Sequence, residues 1–129
     1  MRSGMAKFAG ALAGAAALLV GGMSQSASAA VLTAYTYPSH YGHATYNTTS
    51  GKLVAYDDFS DSRRIVAILR DDNGDEIAFS EDANGTNSTP GTTDYYYGYT
   101  GEEVTLYVCR QNGTNISSRD ECDHSTIII

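Results

Sequence analysis

Short runs of residues that alternate between apolar and polar recur along most of this chain, and they constrain its fold more than any other feature. The run EEVTLYVCR, for example, places Val104, Leu106 and Val108 on one side and Thr105 and Tyr107 on the other. Such period-two alternation is typical of strands with one buried face, and no helical 3.6-residue period is evident beyond the first thirty residues. Gly, Asn, Asp and Ser separate the runs. The pattern therefore predicts an all-β domain.

The order of the predicted strands favours one architecture. They cover residues 31–37, 43–48, 52–57, 63–70, 76–80, 93–99, 102–110 and 126–129. Strands this short, at nearly regular spacing, predict a single small antiparallel β-sandwich with immunoglobulin-like or related Greek-key connections. A small closed barrel is the alternative.

The sequence Asn73-Gly74 predicts the turn of one hairpin. This pair favours a two-residue type I′ turn, in which both residues have positive φ. Ile68 then faces Phe79, and Leu69 faces Ala78. At the turn itself residue 72 faces 75 and residue 71 faces 76.

The first 29 residues have the layout of a secretory signal peptide. Arg2 and Lys7 precede an apolar run over residues 8–23, and Ala27-Ser28-Ala29 supplies a small-residue cleavage site. The run is too short and too rich in Ala and Gly to favour a transmembrane anchor. We therefore expect cleavage after Ala29 and a secreted, extracellular domain over residues 30–129.

The charge and the aromatic content of residues 30–129 limit the partners. This part holds all 15 acidic residues but only six of the eight basic ones, a formal net charge of −9. Nucleic acids and anionic membranes are therefore excluded as partners. Tyrosine occurs ten times and tryptophan never. Because aliphatic residues are scarce, we expect Tyr95, Tyr97 and Tyr99 to fill the core, and Tyr96 and Tyr107, on the opposite faces, to form an exposed binding patch.

The two cysteines, Cys109 and Cys122, predict one structural disulfide. An exported protein with a single cysteine pair is typically oxidised, and twelve intervening residues do not suit a redox Cys-x-x-Cys motif. Cys109 lies on the strand face opposite Val104, so we expect the bridge outside the main core. The loop between the cysteines, residues 110–121, offers Arg110, Asn112 and Arg119 as candidate contacts to a partner.

The hairpin turn DDNGDE is a candidate for calcium. In the predicted register Asp72 faces Asp75 and Asp71 faces Glu76, and like charges directly opposite destabilise a hairpin. A Ca²⁺ ion would relieve that repulsion. The order of the residues departs from the calcium-loop pattern, however, and the downstream bidentate Glu is missing. The preferred interpretation is a solvated, charged turn without a metal.

Other metal and catalytic chemistry is disfavoured. The histidines His40, His43 and His124 form no established zinc-binding spacing with the cysteines. A hydrolase would have to use carboxylates in the acidic turns, such as Asp57, Asp58 and Asp61. No Gly-x-Ser-x-Gly elbow, His-Glu-x-x-His motif or phosphate-binding glycine loop is present. We therefore expect no cofactor and no enzymatic activity.

The leader and two internal segments carry a resemblance. The Ala- and Gly-rich leader ending in SASA, the segment GKLVAYDDFSDSRRIVAIL, and EEVTLYVC followed by a second cysteine resemble small secreted proteins of unknown function from actinobacteria. The resemblance implies secretion and a small β-domain, and no activity.

Three hypotheses for function follow. The preferred one is a non-enzymatic extracellular β-sandwich that binds a cell-wall component, a polysaccharide or another secreted protein through its surface. The second is an inhibitor of an extracellular hydrolase that inserts the loop 110–121, since a disulfide at the base of a loop lowers the entropy lost on binding. The third and least favoured is a small hydrolase that uses the acidic turns.

Overall fold

The computed structural model describes residues 30–83 and 90–129. The predicted signal peptide and residues 84–89 lie outside this part. The described chain forms eight strands: β1 Val31–Tyr35, β2 Gly42–Asn47, β3 Lys52–Asp57, β4 Arg64–Arg70, β5 Glu76–Asp82, β6 Thr93–Tyr95, β7 Glu103–Asn112 and β8 Asn115–Ile128. No helix in these two ranges has the length and apolar character needed to cross a membrane.

The strands form two four-stranded antiparallel sheets that face each other. The first sheet has the order β1-β2-β3-β6, and the second has the order β5-β4-β7-β8. The predicted all-β sandwich is confirmed. Here the first three strands lie in one sheet before the chain crosses to the other. In the immunoglobulin fold, with its ABED and CFG sheets, the chain crosses after two strands. The connectivity is of the related Greek-key kind, because β6 returns to lie beside β3 after the β4–β5 hairpin.

The core lies between the sheets and follows the alternation of the sequence. Val104, Leu106 and Val108 of β7 are completely buried, as their spacing predicts. Opposite them, Ala44 and Tyr46 of β2 point inward. Tyr46 is the largest side chain of this core, so tyrosine does supply apolar area that the few aliphatic residues cannot.

Strand β4 lies between β5 and β7, and its apolar residues are buried on both faces. Ile65 and Leu69 pack in the main core, while Val66 and Ile68 lie on the outer face with at most 2% exposure. A strand covered on both sides is what an uninterrupted apolar run predicts. The outer face of the second sheet therefore has a small apolar layer of its own.

The β4–β5 hairpin has the predicted strand register but a different turn. Ile68 pairs with Phe79 and Leu69 with Ala78, as expected. Of the turn residues, only Gly74 has a positive φ, at 85°. The Gly74 N–H donates to the Asp71 carbonyl at 3.0 Å, which corresponds to a three-residue loop ending in a glycine bulge. The predicted type I′ turn is wrong.

The bulge changes which charges meet at this turn. Arg70, not Asp71, pairs with Glu76, and the Asp71 N–H donates to the Asp75 carbonyl. The Asp71 carboxylate accepts hydrogen bonds from the N–H groups of Asn73 and Asp75, at 3.0 and 2.9 Å. The expected pairs of Asp72 with Asp75 and of Asp71 with Glu76 do not form, because the bulge shifts the register and leaves Asp71 opposite Asp75.

The two sheets are joined along one side by β5. The buried Ser80 hydroxyl accepts a hydrogen bond from the Ala55 N–H of β3 at 2.9 Å and donates to the Thr92 carbonyl. Two residues further along both strands, the Asp82 carboxylate accepts a hydrogen bond from the Asp57 N–H at 2.8 Å. These side chains continue the hydrogen bonding of β3 beyond the short strand β6.

The opposite side of the sandwich is closed by β1 and β8. The Tyr37 N–H donates to the Glu121 carbonyl at 3.0 Å, and the Ser125 hydroxyl donates to the Thr33 carbonyl at 3.3 Å. Both open sides of the sandwich therefore carry hydrogen bonds from one sheet to the other.

Strand β8 is much longer than expected. The sequence predicts a strand over 126–129 and a loop over 110–121, whereas pairing with β7 extends to Asn112 opposite Asn115. Two irregularities in the register interrupt this hairpin. The expectation of an irregular loop is therefore wrong: the polar Asn, Ser and Thr residues hide a strand because it lies at a sheet edge, where burial does not impose alternation.

Candidate functional site

The candidate site is a strip of three exposed tyrosines at the end of β6 and in the segment that follows it. Tyr95, Tyr97 and Tyr99 are 52%, 72% and 68% exposed, and we call them the tyrosine strip. The expectation that they fill the core is wrong. The alternation continues beyond the end of β6 at Tyr95 but in the opposite phase, because Asp94, Tyr96 and Gly98 are the half-buried positions.

Tyr96 is the tyrosine of this segment that points inward, and its contacts with the sandwich hold the backbone of the tyrosine strip in place. Its ring packs against the core, and its hydroxyl donates to the Glu102 carboxylate at 2.6 Å. Its N–H donates to the Gly51 carbonyl at 2.8 Å, and its carbonyl accepts from the buried Tyr46 hydroxyl at 2.8 Å. Tyr96 is therefore an anchor with a half-buried side chain, not the centre of an exposed patch.

The hydrogen bond between Tyr96 and Glu102 has an electrostatic consequence. This bond, with burial of the ring and the nearby negative charge, raises the pKa of Tyr96 to about 12. Burial and the same carboxylate also raise the pKa of Tyr46. Glu102 in addition accepts from the Tyr99 N–H at 3.3 Å, so one carboxylate orders both ends of the segment.

The rings of Tyr95 and Tyr97 are nearly parallel. Their planes differ by 9°, and their centroids are 6.2 Å apart. Tyr97 lies against Gly51, where an added Cβ would come within 3.0 Å of the Tyr97 ring. Gly51 also has a positive φ of 73°. Gly51 therefore adopts the backbone conformation that the turn after β2 requires, and its lack of a side chain leaves space for the Tyr97 ring.

A second aromatic group lies on the outer face of the first sheet. Tyr35, His43 and Tyr56 are direct neighbours across β1, β2 and β3, and His40 packs on Tyr35. The rings of His43 and Tyr56 stack at 4.5 Å with an angle of 6°. Because these rings cover one another's faces, they offer a ligand mainly their edges.

The arginine candidate Arg110 is committed to structure. It forms ion pairs with Asp61 at 3.3 Å and with Asp120 at 3.2 Å, and its guanidinium lies 4.2 Å above the Tyr41 ring. Arg63 also contacts Asp120, at 3.2 Å. These arginines hold the pKa of Asp120 below its usual value. The cluster joins the turn before β4 to the β7–β8 hairpin and leaves Arg110 little freedom to bind a partner.

The remaining candidates lie on the second sheet. Asn112 is exposed near the end of the hairpin, where its N–H donates to the Ser118 hydroxyl at 2.8 Å. Tyr107 is half-buried on the outer face between Arg70, 5.7 Å from its ring centroid, and His124. Arg119 lies on this face as well, above Phe79. The structure therefore does not bring Tyr96 and Tyr107 together, since they belong to different sheets.

The predicted disulfide is confirmed. Cys109 and Cys122 are bonded and connect β7 to β8. Cys109 is buried beside Val66 on the outer face, apart from the main core. The bond therefore crosslinks the two strands partway along the β7–β8 hairpin, whose pairing continues to Glu103 and Ile128.

The acidic residues form no metal-binding cluster in the described part of the chain. No three His, Cys, Asp or Glu side chains within residues 30–83 and 90–129 approach closely enough to hold a metal ion. At the other acidic turn, Asp57 caps the Phe59 N–H and Asp61 pairs with Arg110. The Nδ1 atom of His43 lies 2.6 Å from a carboxylate oxygen of Asp58, at hydrogen-bond distance.

The signal that separates the tyrosine strip from the core is present in the sequence but subtle. Gly98 sits between Tyr97 and Tyr99 on the inward side, where an added Cβ would collide with the Ile129 side chain, and a glycine inside a strand pattern often marks such a close approach. Comparison of the chain with protein-family models, with curated proteins and with solved structures found no match. Its function is therefore argued from the geometry of its own surface.

Proposed function

We propose that this protein is a secreted, non-enzymatic binding protein that binds a neutral extracellular polysaccharide through the tyrosine strip. The observation that carries the proposal is the outward placement of Tyr95, Tyr97 and Tyr99 on a segment whose backbone is held rigidly. Tyrosine suits sugar because its flat apolar body packs against the C–H face of a pyranose while its hydroxyl forms hydrogen bonds.

Preorganisation supports this proposal. The segment is bonded from below through Tyr96 and Glu102, and Tyr97 rests on Gly51. A site whose rings are already in place loses little conformational entropy when a ligand binds. Exposed rings on a free loop would lose more, and their contacts would be correspondingly weaker.

Charge selects the kind of polysaccharide. The formal net charge of −9 over residues 30–129 repels polyanionic glycans and wall polymers. Among the described residues paired with β6, Lys52, opposite Tyr95, is the one basic residue. A neutral chain of hexoses is therefore the favoured ligand.

Location outside the cell is part of the proposal. The disulfide between Cys109 and Cys122 is compatible with an oxidising compartment. The leader-like residues 1–29 agree with it. The carboxylates of Asp57 and Asp71 cap turns, and that of Asp61 pairs with Arg110, so these three have structural roles.

The test is binding to insoluble neutral polysaccharides such as cellulose, chitin and starch, measured by depletion of the protein from solution. Each of Tyr95→Ala, Tyr97→Ala and Tyr99→Ala should weaken binding to the preferred polymer by about 0.5–1.5 kcal/mol, roughly two- to tenfold. Tyr37→Ala is the matched control, because Tyr37 is 63% exposed but follows β1, at the opposite edge of the sheet.

The outcome that rejects the proposal is equally specific. Retention on no neutral polysaccharide, or equal losses for Tyr37→Ala and Tyr97→Ala, would show that the strip is not a sugar site. Far-ultraviolet circular dichroism of each variant separates lost binding from lost folding.

Inhibition of an extracellular hydrolase is the second candidate function. The observation in its favour is Ile116, which is 66% exposed near the tip of a hairpin closed by the disulfide. An apolar side chain on a braced hairpin can enter the specificity pocket of an enzyme. Ile116→Asp should abolish inhibition of a sensitive enzyme, and a panel of secreted proteases and glycosidases that all remain active would reject this function.

A further inference from the structure

The outer face of the second sheet contains a depression with an arginine, Arg119, that forms no ion pair with the residues the structure describes. Its volume is about 320 Å³. It is lined by Glu76, Phe79 and Glu81 of β5 and by Gln111, Thr114, Ile116 and Arg119 of the β7–β8 hairpin. The Arg119 side chain reaches across β4 and β7, so that its guanidinium lies 5.9 Å from the centre of the Phe79 ring. The depression therefore combines an aromatic wall with one cation.

Arg119 is held in place through one nitrogen only. Its Nε donates to the Gln111 Oε1 at 2.6 Å. Gln111 is 2% exposed, and its amide group donates to the Gly113 carbonyl at 2.8 Å. Because the glutamine is buried and bonded at both ends, it orients the guanidinium and leaves the terminal N–H groups of Arg119 directed elsewhere.

The charge of Arg119 is not neutralised within the described residues. Arg63, Arg64 and Arg110 each form an ion pair, whereas Arg119 forms none with any side chain described. Glu81 at the rim is already paired with Arg64 at 2.7 Å. Partial burial lowers the pKa of Arg119, and the nearby Arg70 adds to this, while the Glu76 carboxylate acts in the opposite direction without forming an ion pair. An unpaired, partly buried guanidinium is costly, and a bound carboxylate would offset that cost.

We propose that this depression binds the carboxyl terminus of a peptide, with the carboxylate on the free N–H groups of Arg119. A guanidinium matches the two oxygens of a carboxylate in a bidentate pair. Phe79 and Ile116 contact the apolar side chain of the terminal residue. A ligand with a single carboxylate is favoured over a polyanion because the surrounding protein is strongly acidic.

The experiment is a nuclear magnetic resonance titration of the purified protein with N-acetyl-alanyl-leucine and with its C-terminal amide. The acid should shift the backbone signals of Phe79, Gln111, Ile116 and Arg119. The amide should bind at least about tenfold more weakly, since it lacks the charge-assisted pair. Equal shifts with acid and amide, shifts confined to other residues, or no shifts up to about 10 mM would overturn the proposal.

Variants locate the interaction. Arg119→Gln should remove the preference for the acid, and Arg119→Lys, which keeps the charge but not the planar fork, should retain part of it. Lys52→Gln is the control, because Lys52 is an exposed cation on the other sheet, whereas Arg70 acts electrostatically on Arg119. If Arg119→Gln does not fold, the comparison of acid and amide on the unaltered protein decides the matter.

A sugar acid serves as the final comparison. Glucuronic acid carries a carboxylate on a polar ring without an aliphatic side chain, so it should bind more weakly than the peptide acid. Equal or tighter binding would overturn the assignment to a peptide terminus. The outcome is independent of the polysaccharide proposal, since the tyrosine strip lies on the other sheet and its variants should leave this titration unchanged.

Discussion

Replacement of Ser80 by alanine tests whether buried side-chain hydrogen bonds hold the two sheets together. The Ser80 hydroxyl is the partner of the Ala55 N–H at 2.9 Å, and Ala55 is completely buried. The carbonyl of Ala55 points to the same side and accepts from the Gly91 N–H at 3.0 Å. In Ser80→Ala the Ala55 N–H therefore loses its partner at a place that water does not reach.

The magnitude follows from the two bonds lost. A buried donor left without a partner costs about 1–3 kcal/mol. The Thr92 carbonyl belongs to an exposed residue and can be solvated again, so its loss adds about 0.5–1 kcal/mol. The two contributions add up to about 1.5–4 kcal/mol, and we expect the free energy of unfolding to fall by a value near the middle of that range, about 2–3 kcal/mol, a large part of the stability of a domain of this size.

The assay is urea unfolding of the oxidised protein, followed by circular dichroism. With a slope of about 1 kcal/mol/M, the midpoint of Ser80→Ala should fall by about 2–3 M without a change in slope. Ser60→Ala is the control, because Ser60 is exposed and its hydroxyl forms no hydrogen bond among the described residues; it should change stability by less than about 0.5 kcal/mol. An equally small effect of Ser80→Ala would refute the role assigned to this hydroxyl.

Three further predictions concern stability and its dependence on pH. Replacing both Cys109 and Cys122 by alanine should lower the free energy of unfolding by about 3 kcal/mol, because the bond spans 13 positions of sequence; a loss below 1 kcal/mol, measured with urea, would contradict it. In a pH titration monitored by tyrosinate absorbance, Tyr96→Phe should remove one tyrosine from the step near pH 12. Since the pKa of Tyr96 is raised in the fold, its contribution to stability is present below pH 10 and is lost as the pH rises through about 12; an unchanged titration would show that another tyrosine ionises last. Asp120→Asn should reduce the loss of stability in acid. The lowered pKa of Asp120 contributes stability above about pH 4, and this contribution is lost as the pH falls through the folded-state value. Thermal unfolding of both proteins at descending pH measures the effect, and the same acid slope for both would show that the pairs with Arg110 contribute nothing.

The fold follows from the sequence wherever burial imposes alternation. The register of Ile68 with Phe79 and the inward face of Val104, Leu106 and Val108 were predictable, because a shift of one residue would expose the whole apolar set. Strand β8 was not predictable beyond its last residues. Its polar side chains at a sheet edge obey no period, and only the partner strand β7 shows that they form a strand.

The residue types of the candidate site were predictable from the sequence, but which side chains point outward was not. The repeated tyrosines and the arginines of residues 110–121 indicated binding chemistry, yet the faces of Tyr96 and of its neighbours were reversed. The reason is that Tyr96 finds a hydroxyl acceptor in Glu102, which lies six residues away in sequence and is itself buried. Likewise, only the folded structure shows that Arg110 is paired while Arg119 is not.

The hydrogen bonds that close the two open sides of the sandwich also bear on the life of the protein outside a cell. Every edge strand lies beside an edge strand of the other sheet: β1 beside β8, and β5 beside β6. Aggregation by strand addition, and cleavage by proteases that bind substrates as extended strands, both require a free strand edge. We expect the folded protein to withstand high concentration and prolonged exposure to secreted proteases, with both hazards arising only after one of these sides has opened.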